Sequence, residues 1–492
     1  MRTRLVFFSL LAGLTVVRLL LVAGAELSGP EAYWALCGQQ PEVAYFDGPG
    51  GTALAVAAGL SWGNTAGLLW PIFALLATLG LYCLAAPLTG RPAAVAAAVL
   101  LNLLPVFNLN AVNPGSAMPL AMFAFGFLAM AWRGLSQDST AWWTGAGLCA
   151  AGGMFFSYQA WFFLPAIVVV MLASRRWRPR LRTAGFWLAA MSPLVAAGLL
   201  LAWNANHDWI HFIRGTWQTA LDLQWSLWPA GLERASTLAS PLVLVAVVAA
   251  LAFALRKIAV APKLKFLAVP ALLALLVAAY AILRGAPAQP AGLIAAGVAL
   301  PLITWLPASI GRVPSRLLLS IMFATAAAWT GLHFALARPS GSDINMTVVH
   351  EIENLRAGQT SPLFLIAEDA PLASAIALHL SNATPALPGH PAVYVLESAN
   401  PESQFAFWPR YDQFTEAPPA PPEPGTDPFT EQAGVNAFLG RSALYLTMET
   451  DEELPQAVSA AFASCRLLAE ISLPTTRRLR VFLCSDYQTL PL

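Results

Sequence analysis

The carboxylates of the first 337 residues are few and unevenly placed. They are Glu26, Glu31, Glu42, Asp47, Asp138, Asp208, Asp222 and Glu233, and all but Asp138 fall in two stretches, 26–65 and 204–237. A carboxylate beside a sharp turn is suited to accept a proton or to orient a hydroxyl nucleophile. Asp47 directly precedes Gly48-Pro49-Gly50-Gly51, a turn-forming run. Glu31 follows Pro30, which suits the first helical position, so Glu31 is expected in a helical first turn, where negative charge is favoured. Tyr33, Trp34 and Leu36 then give that helix an apolar face fit for a membrane interface. The second stretch opens Trp203-Asn204-Ala205-Asn206-His207-Asp208-Trp209-Ile210-His211. Packed amides, imidazoles and a carboxylate there can hold a phosphate or a sugar. His207 and Asp208 are adjacent and do not share a helical face, so no triad is implied. His207 and His211 stand four apart but lack the HExxH glutamate of a zinc site. Bland roles fit some of the same residues: a turn-capping Asp47, and interface anchoring by Trp203 and Trp209.

The elements that carry these stretches are apolar. The 492-residue chain is 58% hydrophobic and 11% charged, with a mean hydropathy of +0.62. Soluble domains are about 25% charged, so most of this chain must sit in lipid. The net charge of +1, with no basic arm, excludes nucleic-acid binding. A membrane-crossing helix needs roughly 20 apolar residues. Eleven candidates lie near 5–25, 66–88, 92–110, 113–132, 140–157, 160–174, 183–203, 238–255, 265–283, 289–309 and 316–337. With the N-terminus in the cytoplasm, fifteen Lys and Arg residues fall in inner loops and three in outer ones, namely Arg214, Arg234 and Arg284. That bias sets the orientation. It places both acidic stretches outside, and an odd number of spans puts the C-terminus outside too. Arg18 inside the first apolar run argues for a retained helix facing a bundle rather than a cleaved leader.

Two domains are expected: a transmembrane domain over 1–337 and an extracytoplasmic α/β domain over 338–492. The second holds 18 of the 26 acidic residues. Strand-like runs at 363–367, 392–396, 443–447 and 481–484, with helix-like stretches near 370–381 and 453–464, suggest a small α/β layer. A Pro-rich insertion occupies 417–425. Cys465 and Cys484 can pair in an oxidising compartment or serve as two small apolar core residues.

Pro30-Glu31-Ala32-Tyr33-Trp34, followed by Tyr45-Phe46-Asp47-Gly48-Pro49, resembles the Asp-Glu-Ala-Tyr-Tyr-Trp…Tyr-Asp-His-Pro-Pro signature of bacterial GT-C glycosyltransferases. These are the dolichyl-phosphate-mannose protein mannosyltransferase-like group, which includes the lipid A aminoarabinose transferase. Trp203-Asn204-Ala205-Asn206-His207-Asp208-Trp209 is similar to that group's Trp-Asn-x-x-His-Asp-Trp segment. Gln404-Phe405-Ala406-Phe407-Trp408-Pro409, closed by Tyr411 and Asp412, is similar to its Gln-Tyr-x-x-Trp element. Three positions depart from the pattern. Pro30 replaces the first-loop Asp, Asn113-Pro114-Gly115-Ser116 stands for Thr-Pro-Asp, and Ser157 takes the Lys place of Ser-Lys-Tyr-x-Ala.

The resemblance implies a polytopic α-helical GT-C fold of about eleven spans in a bacterial inner membrane, N-terminus cytoplasmic and C-terminal domain periplasmic. It implies transfer of a sugar from a polyprenyl-phosphate donor to a membrane lipid or glycan acceptor. Asp47 or Glu31 is the expected base. Tyr33, Tyr45, Asn204, His207 and Asp208 are expected to line the substrate cavity. Ser157, Tyr158 and Gln159 are expected to donate hydrogen bonds, and Arg214 and Arg284 to meet the leaving phosphate. No motif points to a particular cofactor, and a divalent metal is compatible with the reaction. The alternative is a catalytically silent homologue that binds lipid or scaffolds an envelope complex.

Overall fold

The computed structural model describes residues 2–23, 25, 27–63, 65–213, 225–257, 262–283, 299–300, 302, 313–336, 344–359, 362–381, 385–396, 401–413, 436–450, 453–474 and 477–488. Helices α1 (Arg2–Ala23) and α2 (Gly29–Gln39) come first. A hairpin of β1 (Ala44–Tyr45) and β2 (Gly48–Pro49) then leads into α3 (Gly51–Gly63). There follow α4 (Trp70–Thr89), α5 (Arg91–Asn102), α6 (Pro105–Asn110), α7 (Ala117–Gln137), α8 (Thr140–Met154), α9 (Phe163–Leu172), α10 (Ala184–Ala205) and a single turn, α11 (Ile210–Phe212). The helices α12 (Trp228–Ala239), α13 (Pro241–Lys257), α14 (Pro262–Leu283) and α15 (Val313–Leu336) complete the apolar part. The C-terminal elements are α16 (Met346–Ala357), β3 (Phe364–Ala367), α17 (Ala370–His379), β4 (Tyr394–Val395), β5 (Ala443–Thr447), α18 (Gln456–Ser459), β6 (Phe462–Ser472) and β7 (Arg478–Tyr487).

These elements form two compact units, Met1–Ala25 with Pro41–Pro339, and Glu26–Gln40 with Ser340–Leu492. The segment Glu26–Gln40, expected in the transmembrane domain, therefore groups with the C-terminal residues.

In the first unit, five helical segments are long and apolar enough to cross a membrane: Leu5–Ala23, Trp70–Thr89, Ala117–Gln137, Ala184–Ala205 and Lys263–Tyr280. Helices also cover the expected spans at 140–157, 160–174, 238–255 and 316–337. The span expected at 289–309 lies almost wholly outside the described residues. The span expected at 92–110 is broken. Pro105 disfavours a helical residue before it, and Leu104 is extended, with φ −84° and ψ 129°. Side chains take up the carbonyls freed at the break. Asn108 Nδ2 donates to Asn102 O at 2.7 Å, and Thr330 Oγ1 donates to Leu103 O at 2.5 Å. Leu104 O, which accepts the Phe107 and Asn108 amides, also receives Asn108 Nδ2 at 3.2 Å. Arg18, 2% exposed, turns into the bundle, where its Nη2 donates to Asn102 Oδ1 and Asn108 Oδ1. Amide partners of this kind lower the cost of a charge at membrane depth.

Two glycines are fixed by close approach rather than by turn freedom. A Cβ on Gly50 would lie 2.5 Å from Glu42 O, and one on Gly51 would lie 2.5 Å from Phe155 O. Of the run read as a turn, Gly48-Pro49 is β2 and Gly50-Gly51 is the tightly packed entry to α3.

In the second unit, α2 begins at Gly29, with Ser28 as N-cap and Pro30 second in the helix. It packs on α17 with Ala32, Tyr33, Ala35 and Cys37 buried. Of the face expected to meet a membrane interface, Tyr33 is covered by protein, whereas Trp34 and Leu36 stay partly exposed. The sheet order is β4-β3-β5-β7-β6, parallel across β4-β3-β5 and antiparallel beyond. Its aromatic core includes Phe364, Tyr411, Phe438, Tyr445 and Tyr487. The helix expected over 453–464 is only the short α18, because Phe462 onward pairs with β7 as the long strand β6. Cys465 and Cys484 face each other across those strands and form a disulfide. The Pro-rich stretch 417–425 lies outside the described residues.

Candidate active site

The site in the first unit is built where three segments meet. The hairpin β1–β2 leaves Phe46 and Asp47 as its two loop residues, with Phe46 buried and Asp47 exposed at the tip. Gly48, at φ 143°, relieves the chain of a strained side chain next to the tip. The second segment is the tight turn Tyr158–Phe162, entered through Ser157, whose Oγ accepts from the Gln159 amide at 3.3 Å. The third is the end of α10 and the turn after it.

A directed chain of hydrogen bonds joins them. Asn204 is fully buried, and its Nδ2 donates to Tyr158 Oη at 3.1 Å and to Leu200 O at 2.8 Å. Tyr158 Oη meets His211 Nδ1 at 2.5 Å, and His211 Nε2 meets Tyr45 O at 2.6 Å. A carbonyl only accepts, so Nε2 carries a proton; in the neutral ring Nδ1 then accepts and Tyr158 donates. The imidazole is held by both nitrogens. Burial lowers the His211 pKa, the hydrogen bond to the Tyr45 backbone opposes that, His207 lowers it further and the Phe46 backbone opposes.

A second link runs beside the first. Trp203 Nε1 donates to Glu42 Oε2 at 2.8 Å, and the Glu42 amide donates to Tyr45 Oη at 3.0 Å. The Trp203 ring stacks on His207 at 3.9 Å and on His211 at 4.9 Å. His207 Nδ1 donates to Trp203 O at 2.8 Å. Past this point the chain turns sharply. Asp208 and Trp209 are both left-handed, with φ 54° and 55°, and Asn204 O receives the Trp209 amide at 2.8 Å. A left-handed Trp costs about 1–2 kcal/mol. The turn keeps Asp208 exposed.

Next to Tyr158, Gln159 lines an apolar hollow in the bundle. Phe127, Phe163, Pro270, Leu273 and Val277 supply most of its remaining wall. An apolar hollow and a polar network thus abut across one peptide bond.

Residues 62–203 match the family model for dolichyl-phosphate-mannose-protein mannosyltransferases. The chain also superposes on ArnT from Cupriavidus metallidurans bound to undecaprenyl phosphate, with TM-score 0.61 and 16% identity over 96% of this chain and 97% of that one. Its apo form gives TM-score 0.61 and 16% identity over 98% of each chain. The protein has the GT-C fold. It is a multi-pass membrane protein with a C-terminal sheet domain. No curated protein matches its sequence.

Within this GT-C chain, Tyr45, Tyr158, Asn204 and His207 lie in or against one hydrogen-bonded network, and Ser157 and Gln159 flank it. Asp47 tips the hairpin that His211 holds, and Asp208 begins the left-handed turn beside His207. Glu31 and Tyr33 belong instead to the second unit. Glu31 Oε2 caps α2 by accepting the Ser28 amide at 2.8 Å, and the buried Tyr33 hydroxyl accepts the Gln404 amide at 2.9 Å. Both have structural partners there. Arg214 and Arg284 lie outside the described residues. Sequence reasoning gave Glu42 no role and weighed His211 only within the amide- and imidazole-rich stretch. The one available signal was His211 one turn beyond His207 on the Trp-flanked stretch.

Proposed function

We propose that the chain is a glycosyltransferase moving a sugar from a polyprenyl-phosphate donor to a membrane lipid or glycan acceptor at the periplasmic face of a bacterial inner membrane. The observation that carries this reading is the adjacency of Gln159, in the wall of the apolar cavity, and Tyr158, in the network that reaches the Asp47 hairpin. ArnT from Cupriavidus metallidurans, a chain of the same fold, binds undecaprenyl phosphate. The cavity suits such a tail, with the phosphate at the Ser157–Gln159 turn. Arg214 and Arg284 are the proposed cations for that phosphate. The Cys465–Cys484 disulfide supports an oxidising compartment for the C-terminal domain, in agreement with the Lys and Arg bias.

The reaction is a single displacement. The acceptor hydroxyl oxygen attacks the anomeric carbon, and the bond from that carbon to the phosphate oxygen breaks. Polyprenyl phosphate leaves with the electron pair, and Asp47 takes the hydroxyl proton. Asp47 is preferred over Glu31 because it stands exposed at a loop tip, whereas a Glu31 oxygen is committed to a helix cap. Asn204, Tyr158 and His211 keep the hairpin in place.

Turnover of an undecaprenyl-phosphate sugar, compared between the wild type, Asp47→Asn and Glu31→Gln, tests this. The expected result is a loss of at least about 100-fold for Asp47→Asn, and for Glu31→Gln a lowered melting temperature with turnover retained. Equal turnover in Asp47→Asn and the wild type would remove Asp47 from the role. Donor-lipid binding without turnover in the wild type would favour the silent homologue, a reading that Ser157 in the Lys position supports.

A further inference from the structure

The loop between α9 and α10 carries five arginines in eight residues, Arg175, Arg176, Arg178, Arg180 and Arg182. It belongs to the first unit, at the end of the bundle where α7, α9 and α13 finish and α8, α10 and α14 begin. This is the end opposite Asn204, where α10 finishes. Arg256 and Lys257 close α13 here, and Lys263 and Lys265 open α14. Among the described residues Asp138 is the only acid at this end, and it is paired with Arg180.

Basic loops are general on one side of a membrane protein, but this one is held in a fixed shape. Ser174 O accepts the Trp177 and Arg178 amides, each at 3.0 Å, and the Arg180 and Thr183 amides close two further turns onto Trp177 O and Arg180 O. Trp177, 4% exposed, is the anchor, its ring 5.9 Å from Trp132 and 6.4 Å from Phe266. Arg178 Nε donates to Leu172 O at 2.6 Å and Lys265 Nζ to Ala173 O at 3.0 Å, so both cations are committed to carbonyls at the end of α9. Arg175, Arg176 and Arg182 are exposed, and among the described residues no hydrogen bond or ion pair engages their side chains. Binding an anion there orders little further backbone.

Apolar surface adjoins these three charges on both sides. Leu172, three residues before Arg175, is half exposed, and α10 presents Trp187, Leu188, Met191, Leu194 and Val195 on one exposed face. The helical rise from Trp187 to Val195 covers roughly 12 Å, most of the ~15 Å hydrocarbon depth of one leaflet. Guanidinium forks match phosphate oxygens, and acyl chains match the exposed face of α10. A choline or ethanolamine headgroup would bring a cation too, and the one carboxylate described here is already paired, so a headgroup of net negative charge is favoured. We propose that the loop between α9 and α10 binds an anionic phospholipid, its phosphate at Arg175, Arg176 and Arg182 and its acyl chains along α10. The proposal goes beyond the transferase reading and does not depend on it.

Native mass spectrometry of the purified full chain in detergent, titrated with dioleoylphosphatidylglycerol, dioleoylphosphatidylcholine or glycerol 3-phosphate, tests it. Phosphatidylglycerol is expected to bind at least about tenfold more tightly than phosphatidylcholine, and glycerol 3-phosphate not measurably. Arg175→Gln/Arg176→Gln is expected to weaken phosphatidylglycerol binding about 30-fold. Both side chains are exposed, so this variant keeps the fold. Arg466→Gln/Arg478→Gln removes two exposed charges from the second unit and is expected to bind as the wild type does. Equal affinity for the two lipids overturns the proposal. So does binding left unchanged by Arg175→Gln/Arg176→Gln, or lowered as much by the pair in the second unit, which would assign it to bulk charge. Glycerol 3-phosphate binding as tightly as phosphatidylglycerol would make this a site for free phosphate and overturns it too. Donor turnover plays no part in this readout, so failure here is separable from failure of the transferase reading.

Discussion

His211 and Tyr45 are 166 positions apart, yet the imidazole Nε2 donates to the Tyr45 carbonyl at 2.6 Å. This bond ties the turn after α10 to the hairpin that carries Asp47. Replacing His211 by Ala removes the donor to the Tyr45 carbonyl and the acceptor of the Tyr158 hydroxyl proton, leaving Tyr158 Oη only its bond from Asn204 Nδ2 among those described. The expected loss of stability is about 1–3 kcal/mol, read from denaturation in detergent. If Asp47 acts on the acceptor, the acceptor KM should rise more than the donor KM. A variant as stable as the wild type would show the link to be energetically idle.

The same imidazole sets a pH dependence. Its folded pKa lies below the ordinary 6.5, chiefly through burial. Between the folded value and 6.5 the unfolded chain binds more protons, so stability rises with pH there. His211 therefore lets the protein keep full stability above about 6.5, loses it stability as pH falls through that window, and adds no slope below its folded value. Melting temperatures at about pH 7.5 and pH 5 should differ more for the wild type than for His211→Asn. Equal differences would assign the slope to other groups.

Gly51 admits no side chain. A Cβ there would press on the Phe155 carbonyl at 2.5 Å, where the Gly51 amide already donates to that oxygen at 2.7 Å. Gly51→Ala should cost about 1–3 kcal/mol, whereas Gly115→Ala, with open space around its Cβ, should cost far less. Parallel thermal melts of the two variants make the comparison. Equal melting temperatures would mean that α3 can back away from α8 without penalty.

Cys465 and Cys484 are 19 positions apart. Opening a bridge across a loop of that size is expected to cost about 3 kcal/mol. Melting of the double variant Cys465→Ser/Cys484→Ser, set against the wild type under oxidising conditions, measures it. If reductant then lowers the wild type to the level of the double variant, the loss belongs to the bond itself.

Much of the first unit was legible because long apolar runs have few alternatives to crossing a bilayer. Ten of the eleven expected spans coincide with helices, the 92–110 span as the broken pair α5 and α6. The elements that escaped lie in the loops. Helix α3 is hidden because the glycines that open it read as a turn, while their real constraint, contact with Glu42 O and Phe155 O, is long-range. Strand β6 is hidden because residues 453–464 carry one acid, Glu453, and four alanines suited to a helix, and only pairing with β7 decides otherwise. In the site, the polar types around residue 204 were visible from their crowding. That Glu42 would find the indole of Trp203, 161 positions away, depended on the folded path of the chain. For the same reason Tyr33 could be placed in an aromatic stretch but not beneath Gln404.

The break at Leu103 and Leu104 sets its own rule for change. Hydrocarbon offers no hydrogen-bond donors, so an interrupted helix survives there only if neighbours supply them. Asn108 and Thr330 do so for two successive carbonyls, those of Asn102 and Leu103. Their tolerance to replacement is therefore dictated by the solvent the bilayer provides. Valine at 330, near-identical in shape, would leave a bare carbonyl facing oil.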